Sequence, residues 1–228
     1  MFVSLIIPTY NEADNLPPLL AEIFEFLPRN LAVEIIIVDD NSPDGTGAVA
    51  EKLAAKYPIT VIHRSGKLGL GSAVRAGLAA AKGDVLGVMD ADLSHDPTIL
   101  PQILSSLATN DIVIGSRFLP GSRVDDWPWW RRLISKVGVS LAGKITKVPA
   151  EDPLSGYFFL HRRVIAGVTL TTVGYKILFE ILCQGNYATL KEIPFHFRKR
   201  EHSQSKLNAR EHLLFLKQLL TYARTPRS

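Results

Sequence analysis

Short apolar runs alternate with amphipathic stretches through the first half of the chain. FVSLIIPTY (2–10) is an apolar run stopped by Pro8. Residues 14–27 place Leu16, Leu19, Leu20, Ile23, Phe24 and Leu27 on one side, behind Asp14 or Asn15 as a cap and Pro17 in the first turn, which predicts a helix. VEIIIVDD (33–40) predicts a strand, and NSPDGT turns into a helix of roughly 46–57. ITVIHR (59–64) is a strand, a glycine-rich turn at 66–71 opens a helix running to about Lys82, and DVLGVMD (84–90) is a strand. PTILPQILSSLA then reads as a helix and DIVIGSR (111–117) as a strand. Strands this apolar are buried on both faces, as in a parallel sheet covered by helices. The β-α-β-α order predicts a doubly wound α/β sheet, in which ligands bind beyond the carboxyl ends of the strands. Thr9 to Glu12, Asp39 to Asn41, Asp90 and Asp92, and Ser116 and Arg117 all fall there.

The second half is less regular. Residues 118–128 read as a loop ending in DDWPWW. Residues 129–148 form a basic amphipathic helix pattern entered through Trp127, Trp129 and Trp130. GYFFLHR (156–162) and 188–197 read as strands, 176–184 and 208–222 as helices, and 198–206 as a basic loop. No repeat or linker interrupts the chain, so a single domain over 1–228 is expected, with halves at 1–117 and 118–228.

Charge divides the same way. Residues 1–115 carry 7 Lys/Arg and 14 Asp/Glu, and residues 116–228 carry 19 and 8, within a net charge of +4. The second half is therefore suited to anionic partners: phosphates, nucleic acid or a lipid surface. No nucleic-acid recognition motif accompanies the cations, which argues against nucleic acid. The two amphipathic helices could lie on a membrane surface or pack on the sheet. The single cysteine, Cys183, provides no disulfide framework and suits a reducing compartment. No run of about 18 apolar residues predicts a membrane span, and the first residues lack a signal-peptide pattern.

The strongest chemical signal is Asp90-Ala91-Asp92. Two like charges at a strand end require something positive, and a hard cation such as Mg2+ or Mn2+ binds one or two carboxylates plus substrate phosphates. The alternative is a pair of turn carboxylates, with Asp92 or Asp96 capping the next helix. Asp39 and Asp40 fit either a ribose or base contact or a turn. GKLGLGSA (66–73) lacks the third glycine of the dinucleotide fingerprint and the Gly-Lys-Ser/Thr end of a P-loop, so tight packing of a turn is the better reading. Arg117, Arg131, Arg132, Arg198, Lys199, Arg200 and Lys206 are candidate phosphate clamps or solvated surface charges. For His95, a helix-start role is expected over ligation.

Taken in order, SLIIPTYNEADNL, IIIVDDNSPDGT, GLGSAVRAGL, VMDADLSHDP, DIVIGSR, DPLSGYFFL and SQSKL resemble the signatures of family 2 inverting glycosyltransferases, over about residues 3–207. DPLSGYFFL and SKL resemble more narrowly those of dolichol-phosphate and polyprenol-phosphate mannose synthases. The resemblance implies a GT-A nucleotide-diphospho-sugar transferase fold, GDP-mannose as donor and a polyprenyl (dolichyl) phosphate as acceptor. It implies that Pro8, Tyr10, Glu12 and Asp39 hold the nucleotide, and that Asp90 and Asp92 bind the Mg2+ or Mn2+ that bridges the diphosphate. Arg117, Arg131 and Ser155 would hold the acceptor phosphate, and Arg200 and Lys206 would close over the donor phosphates. Asp92, Arg117 and Arg131 would then be the catalytic set. A UDP-sugar donor, a protein or polysaccharide acceptor, and a non-catalytic nucleotide-sugar or lipid-binding module are the rival readings.

Two positions depart from the family pattern. Ser94 stands where some members have a metal-binding Gln, and Ser203 where Gly often precedes SKL. Many members carry C-terminal membrane spans, and none is read up to Ser228. The expectation is a chain held peripherally at the cytoplasmic face of a membrane by its helices or by membrane-anchoring subunits, or else a shortened chain.

Overall fold

The computed structural model describes residues 1–125, Val139, Gly143, 147–172, 176–199 and Tyr222. Strand β1 (Phe2–Thr9) pairs in parallel with β2 (Ala32–Asp39) on one side and β4 (Val85–Val88) on the other. β3 (Ile59–His63) extends the sheet beyond β2. β5 (Ile112–Ser116) pairs in parallel with β8 (Leu190–Pro194). β7 (Phe158–His161) runs antiparallel between β4 and β5, giving one seven-stranded sheet of order β3-β2-β1-β4-β7-β5-β8. The doubly wound, mostly parallel α/β expectation holds.

Helices cover both faces. Along β1, Val3, Leu5 and Ile7 point into one core layer, with Leu16, Leu19, Leu20 and Ile23 of α1 (Leu16–Phe26), Ala50 of α2 (Thr46–Ala54) and Ile103 of α4 (Leu100–Ser106). Ile6 points into the other layer, with Val74 and Leu78 of α3 (Leu70–Ala80) and Phe179 and Leu182 of α5 (Ile177–Gln184). Successive side chains of a strand face opposite ways, so a strand covered on both sides must be apolar throughout. Among the described residues no helix is long and apolar enough to cross a membrane.

Four details differ from the sequence reading. β1 runs through Pro8, whose partner in β2 is Val38. The Ile6 carbonyl accepts from Met89 N–H on the β4 side, and β4 pairing ends at Val88. Pro8 turns the same way as Ile6 but lies past that end, so its missing N–H breaks no ladder bond. The expected 97–108 helix starts as a 3-10 turn (Pro97–Ile99), capped by Asp96, whose Oδ1 accepts from Thr98 N–H. The 118–128 loop contains a two-residue strand, β6 (Arg123–Val124), paired with β9 (His196–Phe197). The 188–197 strand is thereby divided between two sheets. The predicted helices over 129–148 and 208–222 lie almost wholly outside the described residues.

At the rim opposite the carboxyl ends, Asp111 ties three segments together. Its Oδ2 accepts from Ala188 N–H, Thr189 N–H and the Thr189 hydroxyl, and its Oδ1 from Arg163. Burial alone would raise its pKa, but these donors overturn that and hold it well below the usual carboxylate range. A depressed pKa contributes stability that is present above the unfolded-state value and lost as pH falls. Asp111→Asn should therefore lower the unfolding free energy by about 1.5–3 kcal/mol at neutral pH. In urea titrations the gap between wild type and variant should narrow once the pH drops below about 4.

Candidate active site

Because β1, β2, β4 and β5 are parallel, their carboxyl ends share one rim. β7 runs the other way, so the turn that precedes it (152–156) reaches the same rim. Residues from both halves of the chain therefore meet there.

At the end of β2, Asp39 is buried and its Oδ1 accepts from the Thr9 hydroxyl at 3.0 Å. Its Oδ2 accepts from Ser42 N–H at 3.0 Å, and the Ser42 hydroxyl also bonds it. Its neighbour Asp40 does different work. Asp40 pairs with Arg64, and its Oδ2 accepts from Leu68 and Gly69 N–H, both at 3.0 Å. Asp40 thus holds the glycine-rich turn, and the packing reading of GKLGLGSA fits this geometry. Asp44 is likewise a turn acid. It accepts from Thr46 N–H and hydroxyl and from Ala13 N–H, joining the β2–α2 turn to the chain after β1. Thr46 in turn accepts from Glu12 N–H at 2.9 Å. Glu12 is buried, with Oε2 accepting from Asn15 Nδ2 at 2.7 Å. Tyr10 is half-buried, with Lys67 Nζ 4.0 Å above its ring centroid. Pro8 is buried in β1.

Asp90 and Asp92 follow β4. Asp92 is buried, and its Oδ1 accepts from Ser94 N–H and from the Ser94 hydroxyl. Ser94 therefore braces Asp92. Leu93 between them has φ +61°, a left-handed conformation that costs a branched residue about 1–2 kcal/mol. Asn11 and Asn41, just beyond the ends of β1 and β2, have φ +60° and +55°, where asparagine is tolerated.

His95 is buried and does not start the next helix, the role expected for it; that role belongs to Asp96. Its Nδ1 accepts from Asp90 N–H at 3.0 Å, and its Nε2 lies 3.7 Å from Asp90 Oδ2. The ring stacks on Tyr157 at 5.1 Å and meets the edges of Phe195 and Phe197. His95 thus sets the Asp90 backbone from inside an aromatic box. On the other side, a Cβ on Gly156 would sit 3.0 and 3.2 Å from the two Asp90 oxygens. The glycine gives that carboxylate its room.

Arg117, at the end of β5, makes a side-on fork with the fully buried Asp152: Nε to Oδ2 at 2.8 Å and Nη2 to Oδ1 at 2.7 Å. Burial opposes the Arg117 charge, but Asp152, and Asp90 beyond it, outweigh that and raise its pKa. Glu192 of β8 accepts from Glu151 and Asp152 N–H. Burial, with the Asp152 charge adding to it, pushes the Glu192 carboxyl up.

Ser155, expected at the acceptor phosphate, lies in the turn before β7. It is buried, its hydroxyl donates to the Gly115 carbonyl at 2.7 Å and accepts from Tyr157 N–H at 3.1 Å, so it pins the turn to β5. Arg198 bridges Glu22 and Asp96, both at 2.7 Å, and so braces α1 against the turn after Asp92. Arg131, Arg200 and Lys206 lie outside the described residues, as do Arg132 and the three tryptophans.

Asp90 and Asp92 thus follow one strand end, with the Arg117 guanidinium near enough to feel the Asp90 charge, beside a second acid-lined strand end. A family model, Glycosyl transferase family 2, matches residues 4–169. The chain belongs to that family. It is 44% identical over 223 residues to a dolichol-phosphate mannosyltransferase of Pyrococcus furiosus, over 96% of this chain but 63% of that protein. It is 36% identical to the dolichol-phosphate mannosyltransferase of Saccharomyces cerevisiae, over 95% of this chain and 85% of that one. It is 38% identical to the polyprenol monophosphomannose synthase of Mycolicibacterium smegmatis, over 90% and 80%. Among solved structures it resembles glucosyl-3-phosphoglycerate synthase from Mycobacterium tuberculosis, crystallised with Mn2+ and UDP-glucose. The TM-score is 0.71 at 19% identity, over all of this chain and 81% of that one. The GT-A glycosyltransferase fold expected from the motifs is the one observed.

Sequence reasoning did not single out Asp152, His95, Gly156 or Glu192 as site residues. A signal existed for Asp152 and Gly156: both lie in the quoted DPLSGYFFL motif, immediately before an apolar strand.

Asp40 and Arg64 are nearly buried, with side chains 5% and 11% exposed. Breaking such a pair leaves an uncompensated charge. Asp40→Ala should destabilise the fold by about 3–5 kcal/mol in chemical denaturation, with much of the loss recovered in Asp40→Ala/Arg64→Leu.

Proposed function

We propose that this glycosyltransferase moves mannose from GDP-mannose to a polyprenyl (dolichyl) monophosphate, with inversion at the anomeric carbon. The observation that supports it most is the juxtaposition of Asp90 and Asp92 with Arg117 on one rim, in a chain 36–44% identical to mannosyltransferases named for dolichol phosphate. Pro8, Tyr10, Glu12 and Asp39 form the nucleotide side of the rim. Asp39 is oriented by Thr9 and Ser42 to accept from a ligand hydroxyl or base.

The donor set fits a divalent cation, Mg2+ or Mn2+. Both ligands are hard carboxylates, Gly156 leaves space at one of them, and among the described residues no third His, Cys, Asp or Glu closes a cage. Asp90 and Asp92 would hold such a cation, leaving the rest of its shell to oxygen ligands from outside the protein. When bound, it stabilises negative charge on the departing diphosphate.

The acceptor phosphate monoester has a second pKa of about 6, so at neutral pH it is already a nucleophile. One of its oxygens forms the bond to the anomeric carbon as the bond from that carbon to the diphosphate breaks, and the electron pair leaves with GDP. No side chain need remove a proton. Arg117 directs guanidinium N–H groups at the acceptor phosphate and holds it for in-line attack. The family resemblance would add Arg131 to the acceptor contact and give Arg200 and Lys206 to the donor phosphates. The second half, rich in cations, would meet the anionic surface of the membrane in which the acceptor resides, at its cytoplasmic face. Membrane-anchoring subunits remain compatible with this arrangement.

Transfer of labelled mannose from GDP-mannose to a short polyprenyl phosphate, with Mg2+ or Mn2+ and then with EDTA, tests the reading. Metal-dependent β-linked product, lost in Asp92→Ala, is the expected result. A retained α-linkage, or transfer from UDP-glucose alone, would overturn it. Gly156→Ala should fold normally yet bind Mn2+ about 10–100-fold more weakly by calorimetry, because the new methyl displaces the Asp90 carboxylate.

A further inference from the structure

Arg117 is held from more directions than a surface cation needs. Besides the two bonds of its fork, its backbone N–H donates to Asp152 Oδ2 at 3.0 Å. Its guanidinium carbon lies 5.6 and 5.7 Å from the ring centroids of Phe118 and Phe197. Asp152 is itself fixed. Its N–H donates to Glu192 Oε1 at 2.9 Å, and Glu151 N–H donates to Glu192 Oε2 at 2.7 Å. Its carbonyl accepts from Ser155 N–H at 3.2 Å. Glu192 sits opposite Ile114 in the β5–β8 register, so the brace is rooted in the sheet.

Two physical consequences follow. First, a free arginine carries about 2 kcal/mol of rotamer entropy, and a guanidinium fixed beforehand has less of it to lose when a ligand binds. The side-on fork uses the Nε and Nη2 edge, so the Nη1 edge is turned away from Asp152. Second, Asp90 and Asp92 attract any nearby cation. An arginine with no tether would be drawn toward them and compete for the place a divalent cation needs. The Asp152 fork holds the guanidinium on its own side.

We propose that Asp152, seated by Glu192, is a positioning residue for the acceptor phosphate: it sets the orientation of Arg117 rather than touching substrate. The proposal rests on Arg117 binding the acceptor, and goes beyond it by assigning the residue that makes Arg117 competent.

The test uses the full chain with Arg117→Ala, Arg117→Lys, Asp152→Asn and the Arg117→Ala/Asp152→Asn double variant. Steady-state kinetics give the KM of a short polyprenyl phosphate and of GDP-mannose, and thermal melts monitor folding. Asp152→Asn should raise the acceptor KM about tenfold or more and leave the donor KM within about twofold. The double variant should be no worse than Arg117→Ala alone, because Asp152 acts only through Arg117. Multiplicative losses, or an unchanged acceptor KM in Asp152→Asn, would overturn the inference. Arg117→Lys provides the arm that does not depend on Asp152→Asn folding. A lysine keeps the charge but cannot make the fork, so it should behave like Arg117→Ala, and full retention of acceptor KM would refute an orienting role. If Arg117→Ala itself leaves the acceptor KM unchanged, the acceptor reading of Arg117 fails first, whatever Asp152 does.

Discussion

The fork between Arg117 and Asp152 joins the two halves of the site. Arg117 directly follows β5 in the first half of the chain, and Asp152 opens the turn before β7 in the second. Charge pairing in a buried place is costly unless every oxygen and nitrogen finds a partner. Here Asp152 accepts from three N–H groups of one residue, and Glu192 secures the backbone beneath it. Once that pair is set, the 152–156 turn is placed, and with it Gly156 against Asp90 and Ser155 against Gly115.

The acids of the rim separate by what holds them. Asp40, Asp44, Asp96 and Asp152 are each committed to backbone amides or to arginines, and they shape the loops. Asp90 and Asp92 are supported locally, by His95 at the Asp90 backbone N–H and by the Ser94 N–H and hydroxyl at one Asp92 oxygen. A polar support behind a ligating carboxylate is how first contacts to a metal are oriented in general. Leu93, held left-handed between Asp92 and Ser94, is the local cost of the turn that brings the Ser94 donors back to Asp92, and it lies where backbone strain is commonly found.

The antiparallel β7 explains how one sheet assembles a site from distant sequence. Parallel strands present only their carboxyl ends to the rim, each followed by a loop into a helix. A strand inserted in the opposite sense presents its start. The aromatic side chains on either side of that start, Tyr157 just before it and Phe159 within the strand, then fill the core layer beneath the site, and Tyr157 stacks under His95.

The sequence by itself determined the alternation of strands and helices, the rim of carboxyl ends, the acidic pair and the family. These are local properties: apolar runs buried on both faces, turn residues after them, and ordered motifs read along the chain. It did not determine the direction of β7, the division of 188–197 between two sheets, or which acids are structural. Periodicity is the same for a strand read either way, and Asp39 and Asp40 are indistinguishable as letters. Tertiary structure decided these, because only the fold brings Arg64 and the Leu68–Gly69 amides to Asp40, and Arg117 to an aspartate 35 positions away. A carboxylate's role is set by the donors that reach it, and those come from elsewhere in the chain.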